Sequence, residues 1–230
     1  MAIDFVPDLR QGKRNKKSKQ KAKKTSMEWI PQARQLKFLE FCGLSHPFEY
    51  YMGEHNGKVV LVKRKDKPEG IQEPKASVIG YGGAAGGGKS DAMLMALFVA
   101  ILTNPGAKCG YFRRKFPQLE GAGGAIMRSK ELFTDFPGAK WNGTHRTWTF
   151  TEQKNGVIAF NHLQNTDDIY DYQSQQFDYI AFDEATQFLR KQYRYLTSRN
   201  RSTVKGTHPI MMLSTNPGGV GHVWFKKEFI

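Results

Sequence analysis

From Gly83 to Ser90 the chain reads Gly-Ala-Ala-Gly-Gly-Gly-Lys-Ser. A glycine, a four-residue spacer and Gly-Lys-Ser form the pattern of a loop that wraps backbone N–H groups around phosphate oxygens. Glycines let the main chain come that close. Lys89 is then placed to reach the β and γ phosphates of a nucleotide, and Ser90 to offer its hydroxyl to Mg²⁺. A flexible turn ahead of a helix is the plain alternative, but the pattern and its strand-to-helix setting agree on phosphate.

Such a loop binds nucleotide. Hydrolysis needs a second, carboxylate element, and "YIAFDEA" supplies one. The apolar run Tyr179 to Phe182 carries Asp183 and Glu184 to the carboxyl end of a strand, the edge where open α/β sheets bind ligands. Asp183 is expected to hold Mg²⁺, directly or through water, and Glu184 to act as general base on the attacking water. The alternative is a pair of acids capping the next helix. A third candidate is "LSTNPGG", where a strand over Ile210 to Ser214 brings Thr215 and Asn216 to the same edge as sensors of the γ-phosphate. An ordinary Asn-Pro-Gly turn accounts for these two equally well.

These groups must be held by strands and helices, and the pattern supplies them. "ASVIGYGG" reads as a buried strand entering the loop, and "KSDAMLMALFVAILTN" as an apolar helix stopped by Asn104-Pro105-Gly106. "AKCGYFRR" and "DYIAFDEA" are further strands, "TQFLRKQYRYLTSRN" a helix, and "HPIMMLSTNPGG" a last strand. Residues 141–160 alternate about Asn155-Gly156 as a β-hairpin does. Upstream, "SMEWIPQARQLKFLEFCG" predicts a helix with Pro31 in its first turn, Leu36, Phe38 and Leu39 on its apolar face, and Gly43 closing it. Residues 46–74 are short-strand and turn material, "GKVVLVKRK" being the clearest strand, with no role assigned. Strands alternating with helices predict an α/β fold with a mostly parallel sheet covered on both faces.

The formal charge is +14. Nine basic residues and no acid lie between Arg10 and Lys24, so residues 1–26 are expected to form a disordered basic arm ahead of a folded unit over 27–230. The arm reads either as a solvated charge run or as a contact with nucleic acid. Two cysteines, Cys42 and Cys109, are too few for a disulfide framework and fit a reducing compartment. The apolar run Ala92 to Leu102 is too short to span a bilayer, and no secretory signal is visible. His145 and His162 lack partners at metal-ligand spacing. Tyr170, Tyr172, Tyr193 and Tyr195 recur near helical spacing and read as packing residues, and Gly121–Gly124 as a mobile loop.

Together "GGAAGGGKS", "NHLQNTDDIYDYQSQQFDYIAFDEATQF", "YRYLTSRNRS" and "STNPGGVGHVWFKKEFI" resemble the ATPase domain of tailed-phage terminase large subunits, the DNA-packaging motors. The resemblance runs from about Trp29 to the carboxyl end. It implies an additional-strand, RecA-like P-loop NTPase fold in which the hairpin is an insertion. By that resemblance Gly83, Ala84, Ala85, Gly86, Gly87, Gly88, Lys89 and Ser90 match the Walker A loop, and Asp183 and Glu184 the Walker B pair. Thr215 and Asn216 match the coupling motif. "WIPQARQ" resembles the adenine-recognition segment, with Gln35 as the base-contacting side chain; an exposed helix residue is the alternative for Gln35.

The implied activity is ATP hydrolysis driving double-stranded DNA into a procapsid, with Mg²⁺ as cofactor. The implied partners are DNA, the portal protein, the terminase small subunit and further copies in a ring, without a membrane. The implied place is the cytoplasm of the infected bacterium, not the mature virion. Two other readings stay open: a helicase-like translocase, and a nucleotide-dependent DNA-binding or assembly adaptor with little turnover. Many relatives carry an arginine inside the Walker A loop where this chain has Ala84 and Ala85. Arg113, Arg114, Arg199 and Arg201 are therefore candidates for the missing positive charge, within the chain or reaching a neighbour; an ordinary surface arginine or a contact with a nucleic-acid backbone is the alternative for each, and the favoured one for at least two of them. No acidic cluster of a nuclease domain follows, so nuclease activity is not expected of this sequence.

Overall fold

The computed structural model describes residues 2–5, 26–28, 32–44, 50–55, 58–63, 76–83, 86 and 88–230. Four short strands, β1 (Ala2–Phe5), β2 (Ser26–Glu28), β3 (Tyr50–His55) and β4 (Lys58–Lys63), pair in the order β2-β1-β4-β3. The β3–β4 hairpin accounts for the strand character expected within 46–74. Apart from β1 and Ser26, the expected basic arm lies outside the described residues.

The main sheet has seven strands: β5 (Val78–Gly82), β6 (Lys108–Arg113), β7 (Ala139–Asn142), β8 (Thr147–Phe150), β9 (Gly156–His162), β10 (Tyr179–Phe182) and β11 (Ile210–Thr215). Their order is β5-β11-β10-β6-β9-β8-β7. The first five run parallel, and β8 and β7 turn antiparallel. The chain-distant strand β11 thus lies between the loop-bearing strand β5 and the carboxylate-bearing strand β10. Register puts Phe182 level with Phe112 and Leu213, and Thr215 level with Gly82. The carboxyl ends of β5, β6, β10 and β11 therefore open on one edge.

Helices cover both faces, and the strands show why. In β10, Tyr179 and Ala181 join one buried cluster, while Ile180 and Phe182 join the other. In β11, Ile210 and Met212 face the first cluster, and Met211 and Leu213 the second. This is the two-residue alternation of a strand buried on both sides. On the first face lie α1 (Ala33–Phe41), α2 (Lys89–Thr103), α3 (Pro117–Glu120) and α4 (Ala125–Phe133). The second face carries α5 (Arg190–Thr197) and α6 (His222–Phe229). Helix α2 is apolar almost all round because it is enclosed: Ala92 to Phe98 are all buried. Among the described residues no helix is long and apolar enough to cross a membrane.

Four expectations need adjustment. The hairpin before Gly156 exists, but a third strand extends it into a β7-β8-β9 meander, and β9 pairs parallel with β6. It is built into the sheet, not inserted, because Trp148, Phe150, Ile158 and Phe160 belong to the first core cluster with Phe133. The helix expected from Thr186 begins only at Arg190, since Glu184 at φ 58° and a 3₁₀ turn over Ala185–Gln187 come first. In α1, which starts at Ala33 with Pro31 outside the described residues, Leu36 is exposed; the buried stripe is Gln35, Phe38, Leu39 and Cys42. The 121–124 segment is a tight link, where Gly124 N donates to Gly121 O at 2.7 Å and a Cβ on Gly124 would meet Leu119 O at 2.4 Å.

Candidate nucleotide site

Three elements meet at the carboxyl edge of the sheet. The loop after β5 delivers Lys89 and Ser90 at the start of α2, β10 delivers Asp183 and Glu184, and β11 delivers Thr215 and Asn216. All but Thr215 line a cavity of about 220 Å³, together with Gly86, Gly88 and Asp91. Another hollow, about 390 Å³, lies around Lys108, Cys109 and Phe177, toward the amino-terminal ends of β6 and β10, and gathers none of these groups.

Conformation dictates the loop's glycines. Gly86 has φ 79° and Gly88 φ 64°, the left-handed region that side-chain-bearing residues avoid. A Cβ on Gly88 would sit 2.5 Å from Gln35 Nε2. That side chain is buried and reaches across from α1: Gln35 Nε2 donates to Gly88 O at 2.7 Å, and its Oε1 accepts from Gln32 N at 2.6 Å. The exposed-residue alternative for Gln35 is therefore excluded, and its carboxamide braces the loop. Lys89 Nζ donates to Gly83 O at 3.0 Å. Ala84, Ala85 and Gly87 lie outside the described residues.

Asp183 is almost wholly buried and is held by four groups. Ser90 Oγ donates to its Oδ2 at 2.9 Å, Tyr111 OH to the same oxygen at 2.6 Å, and Ser214 Oγ to Oδ1 at 2.6 Å. Arg113 Nε stands 2.8 Å from Oδ2. Burial, reinforced by the Asp183 charge, pushes the Tyr111 hydroxyl well above its usual range, so it remains a proton donor. Burial would lower the Arg113 pKa, but Asp183 and then Tyr111 and Glu184 outweigh it and raise it.

Glu184 accepts from Gln187 Nε2 and, at 3.4 Å, from Asn216 Nδ2, and lies 3.3 Å from Arg113 Nη1. Its N–H donates to Ser214 Oγ at 3.0 Å. Thr215 Oγ1 donates to Thr186 Oγ1 at 3.2 Å, and Thr186 Oγ1 to Asn216 O at 3.1 Å. The ends of β10 and β11 are thus stitched together by side chains. Asn216 Oδ1 is buried with no hydrogen-bond partner, a polar atom that a bound ligand or water can satisfy.

Of the four candidate arginines only Arg113 reaches the carboxylates. Arg114 Nη1 donates to Gln192 Oε1 at 2.6 Å, Arg199 Nη1 to Gln173 O at 2.6 Å, and Arg201 is exposed. Tyr111, Ser214, Thr186 and Gln187 escaped the sequence reading. Tyr111 and Ser214 sit on alternating strand positions that read as core, and only the register of β6 and β11 with β10 reveals them.

Magnesium fits the donors here: a hydroxyl and a carboxylate, both hard oxygens, side by side beneath a phosphate-type loop. Among the described residues no three His, Cys, Asp or Glu side chains cluster as a metal cage.

Residues 81–224 match the family described as terminase large subunit, T4likevirus-type, N-terminal. No curated protein matches the chain. Among solved structures, the large terminase from a thermophilic bacteriophage is similar at a TM-score of 0.51 and 20% identity, over 66% of this chain and 37% of that one. The same terminase in complex with ADP gives a TM-score of 0.54 and 19% identity, over 86% of this chain and 41% of that one. The chain thus spans well under half the length of these solved relatives. At such identities the likeness is one of fold, and it is the fold of a P-loop NTPase with an added central strand. With the family match covering more than half of its residues, the chain belongs to the terminase large-subunit family, in that family's T4likevirus-type amino-terminal part.

Proposed function

We propose that this domain binds and hydrolyses Mg-ATP at the carboxyl edge of its sheet, and that hydrolysis drives double-stranded DNA into a viral procapsid. The observation that carries the proposal is the 2.9 Å hydrogen bond from Ser90 Oγ to Asp183 Oδ2. It joins two residues 93 apart in sequence, in a cavity also lined by Lys89, Glu184 and Asn216.

In this mechanism the loop amides and Lys89 take the triphosphate, Lys89 exchanging its contact with Gly83 O for phosphate oxygens. Ser90 and Asp183 would hold Mg²⁺, which when bound neutralises charge developing on the phosphates. Glu184 accepts the proton of the attacking water. Gln187 and Asn216 orient its carboxylate, leaving the base little freedom to swing. Asn216 is also the coupling element: its amide N–H already donates to the base, and its buried, unpaired Oδ1 is an acceptor that a donor such as the attacking water can satisfy. Gln35 braces Gly88 and retains one N–H and one acceptor site for an adenine edge.

As part of a larger motor the domain would act with DNA, a portal, a small subunit and neighbouring copies in a ring, in the cytoplasm of the infected cell. Phosphate release from purified protein tests the chemistry. Lys89→Ala and Glu184→Gln are each expected to abolish nearly all turnover, with Glu184→Gln retaining nucleotide affinity. Undiminished hydrolysis by Glu184→Gln would remove Glu184 as the base.

A further inference from the structure

The guanidinium of Arg113 occupies an unusual position. It ends β6, level with Asp183 across the sheet, and its side chain is only 17% exposed. From there it spans both acidic groups of the site, with Nε 2.8 Å from Asp183 Oδ2 and Nη1 3.3 Å from Glu184 Oε1. The Nε contact is ionic only. Its N–H is buried and meets no acceptor at hydrogen-bonding geometry. Meanwhile Asp183 Oδ2 already accepts from Tyr111 and Ser90, so the oxygen best placed for a metal is crowded by two donors and the guanidinium. Tyr111 is fully enclosed and cannot leave. Arg113 has a long side chain, partial access to solvent and an imperfect bond.

Resting on the magnesium-nucleotide reading of this site, we infer that Arg113 is an exchangeable counter-ion. In the nucleotide-free protein it balances the Asp183–Glu184 pair, and it yields that position when the metal-bound nucleotide arrives. A guanidinium 2.8 Å from Asp183 Oδ2 and a divalent cation on the same oxygen repel each other. While the guanidinium stays, its Nη1 lies 3.3 Å from Glu184 Oε1 and occupies that carboxylate oxygen. Its release therefore frees the base at the same moment that substrate is loaded.

The test compares ADP affinity with magnesium and with EDTA, by calorimetry, for the wild type, Arg113→Gln and Arg113→Lys. Thermal unfolding is followed in parallel. For a counter-ion, Arg113→Gln unfolds at a lower temperature without ligand, yet its magnesium-dependent gain in ADP affinity exceeds that of the wild type by roughly tenfold, within the usual range of site-to-site coupling. An unchanged gain makes Arg113 a structural ion pair and overturns the inference. A reduced gain makes it a phosphate or metal support and does so equally. Should Arg113→Gln not fold, Arg113→Lys keeps the charge but cannot bridge both carboxylates. A gain above wild type then supports the exchange, and one at or below wild type refutes it. If the wild type binds no magnesium-nucleotide at all, the nucleotide reading fails together with this inference; wild-type binding with an unchanged ratio sinks this inference alone.

Discussion

Replacing Tyr111 by phenylalanine removes one oxygen and nothing else from the site. That oxygen donates at 2.6 Å to Asp183, inside a fully buried pocket. A hydrogen bond to a charged acceptor is worth about 1.5–3 kcal/mol. The gap left by one hydroxyl is too small for a water to take over the bond. Three other groups still hold the carboxylate, Ser90, Ser214 and Arg113, so the lower part of that range applies, about 2 kcal/mol. For a chain of this size each kcal/mol moves the melting temperature by about 2–4 °C, giving a drop of about 4–8 °C. Urea denaturation and thermal melts without nucleotide measure it. Tyr172→Phe is the internal control, because its hydroxyl donates at 3.1 Å to a neutral carbonyl, that of His162, where about 0.5–1.5 kcal/mol is at stake. If Tyr111→Phe costs no more than Tyr172→Phe, the charge of Asp183 is not what makes the Tyr111 bond strong, and the description of Asp183 as a buried, donor-held carboxylate is wrong.

Two further outcomes follow from the same geometry. Gly88→Ala forces a side chain into the left-handed region at φ 64° and drives its Cβ against Gln35 Nε2; it is expected to destabilise the fold by about 1–2 kcal/mol and to weaken nucleotide binding, as read by denaturation and calorimetry, and a neutral result would show that the loop is not braced by α1. Burial raises the pKa of Cys42, Cys109, Tyr111, Tyr172 and Tyr179 above their ordinary values of 9.0 for cysteine and 10.0 for tyrosine. Raised folded values mean that the stabilisation is complete below pH 9 and is lost as pH climbs, because the unfolded chain ionises first. The urea midpoint should therefore hold steady up to about pH 8.5 and fall progressively toward about pH 11, and a flat profile would contradict the burial of these groups.

Local chemistry was legible in the sequence wherever one short segment carries both the element and the group. The strand and helix on either side of the loop pattern, β5 and α2, and the apolar run before Asp183-Glu184, β10, are of that kind, and they stand where the sequence placed them. The meander was only half legible, because the turn at Lys154-Asn155 leaves a local mark while the parallel pairing of β9 with β6 leaves none. Gln35 shows another limit. A glutamine within an apolar stripe reads as a surface residue or a ligand, and only the approach of α1 to Gly88 shows its carboxamide engaged by the loop. Asp178 was overlooked for a similar reason. Fully buried just before β10, it accepts from Lys108 N, Thr203 N and Thr203 Oγ1, partners no motif connects.

The position of β11 explains why Glu184 and Asn216 are tied to one another. In a sheet where β5 and β10 were neighbours, the loop and the carboxylates would touch directly, and the strand ending in Thr215-Asn216 would lie off to one side. With β11 between them, Ser214 accepts from the N–H of Glu184 and donates to Asp183, while Asn216 donates to the Glu184 carboxylate. A shift of β11 by even one ångström either carries Glu184 with it or breaks these bonds, which are too short to stretch that far. Whatever pulls on the turn after Asn216 therefore acts on Glu184. Gly219 and Gly221 follow that turn, and backbone oxygens leave no room for a side chain on either: a Cβ would meet Thr186 O at 2.5 Å from Gly219 and Phe188 O at 2.4 Å from Gly221.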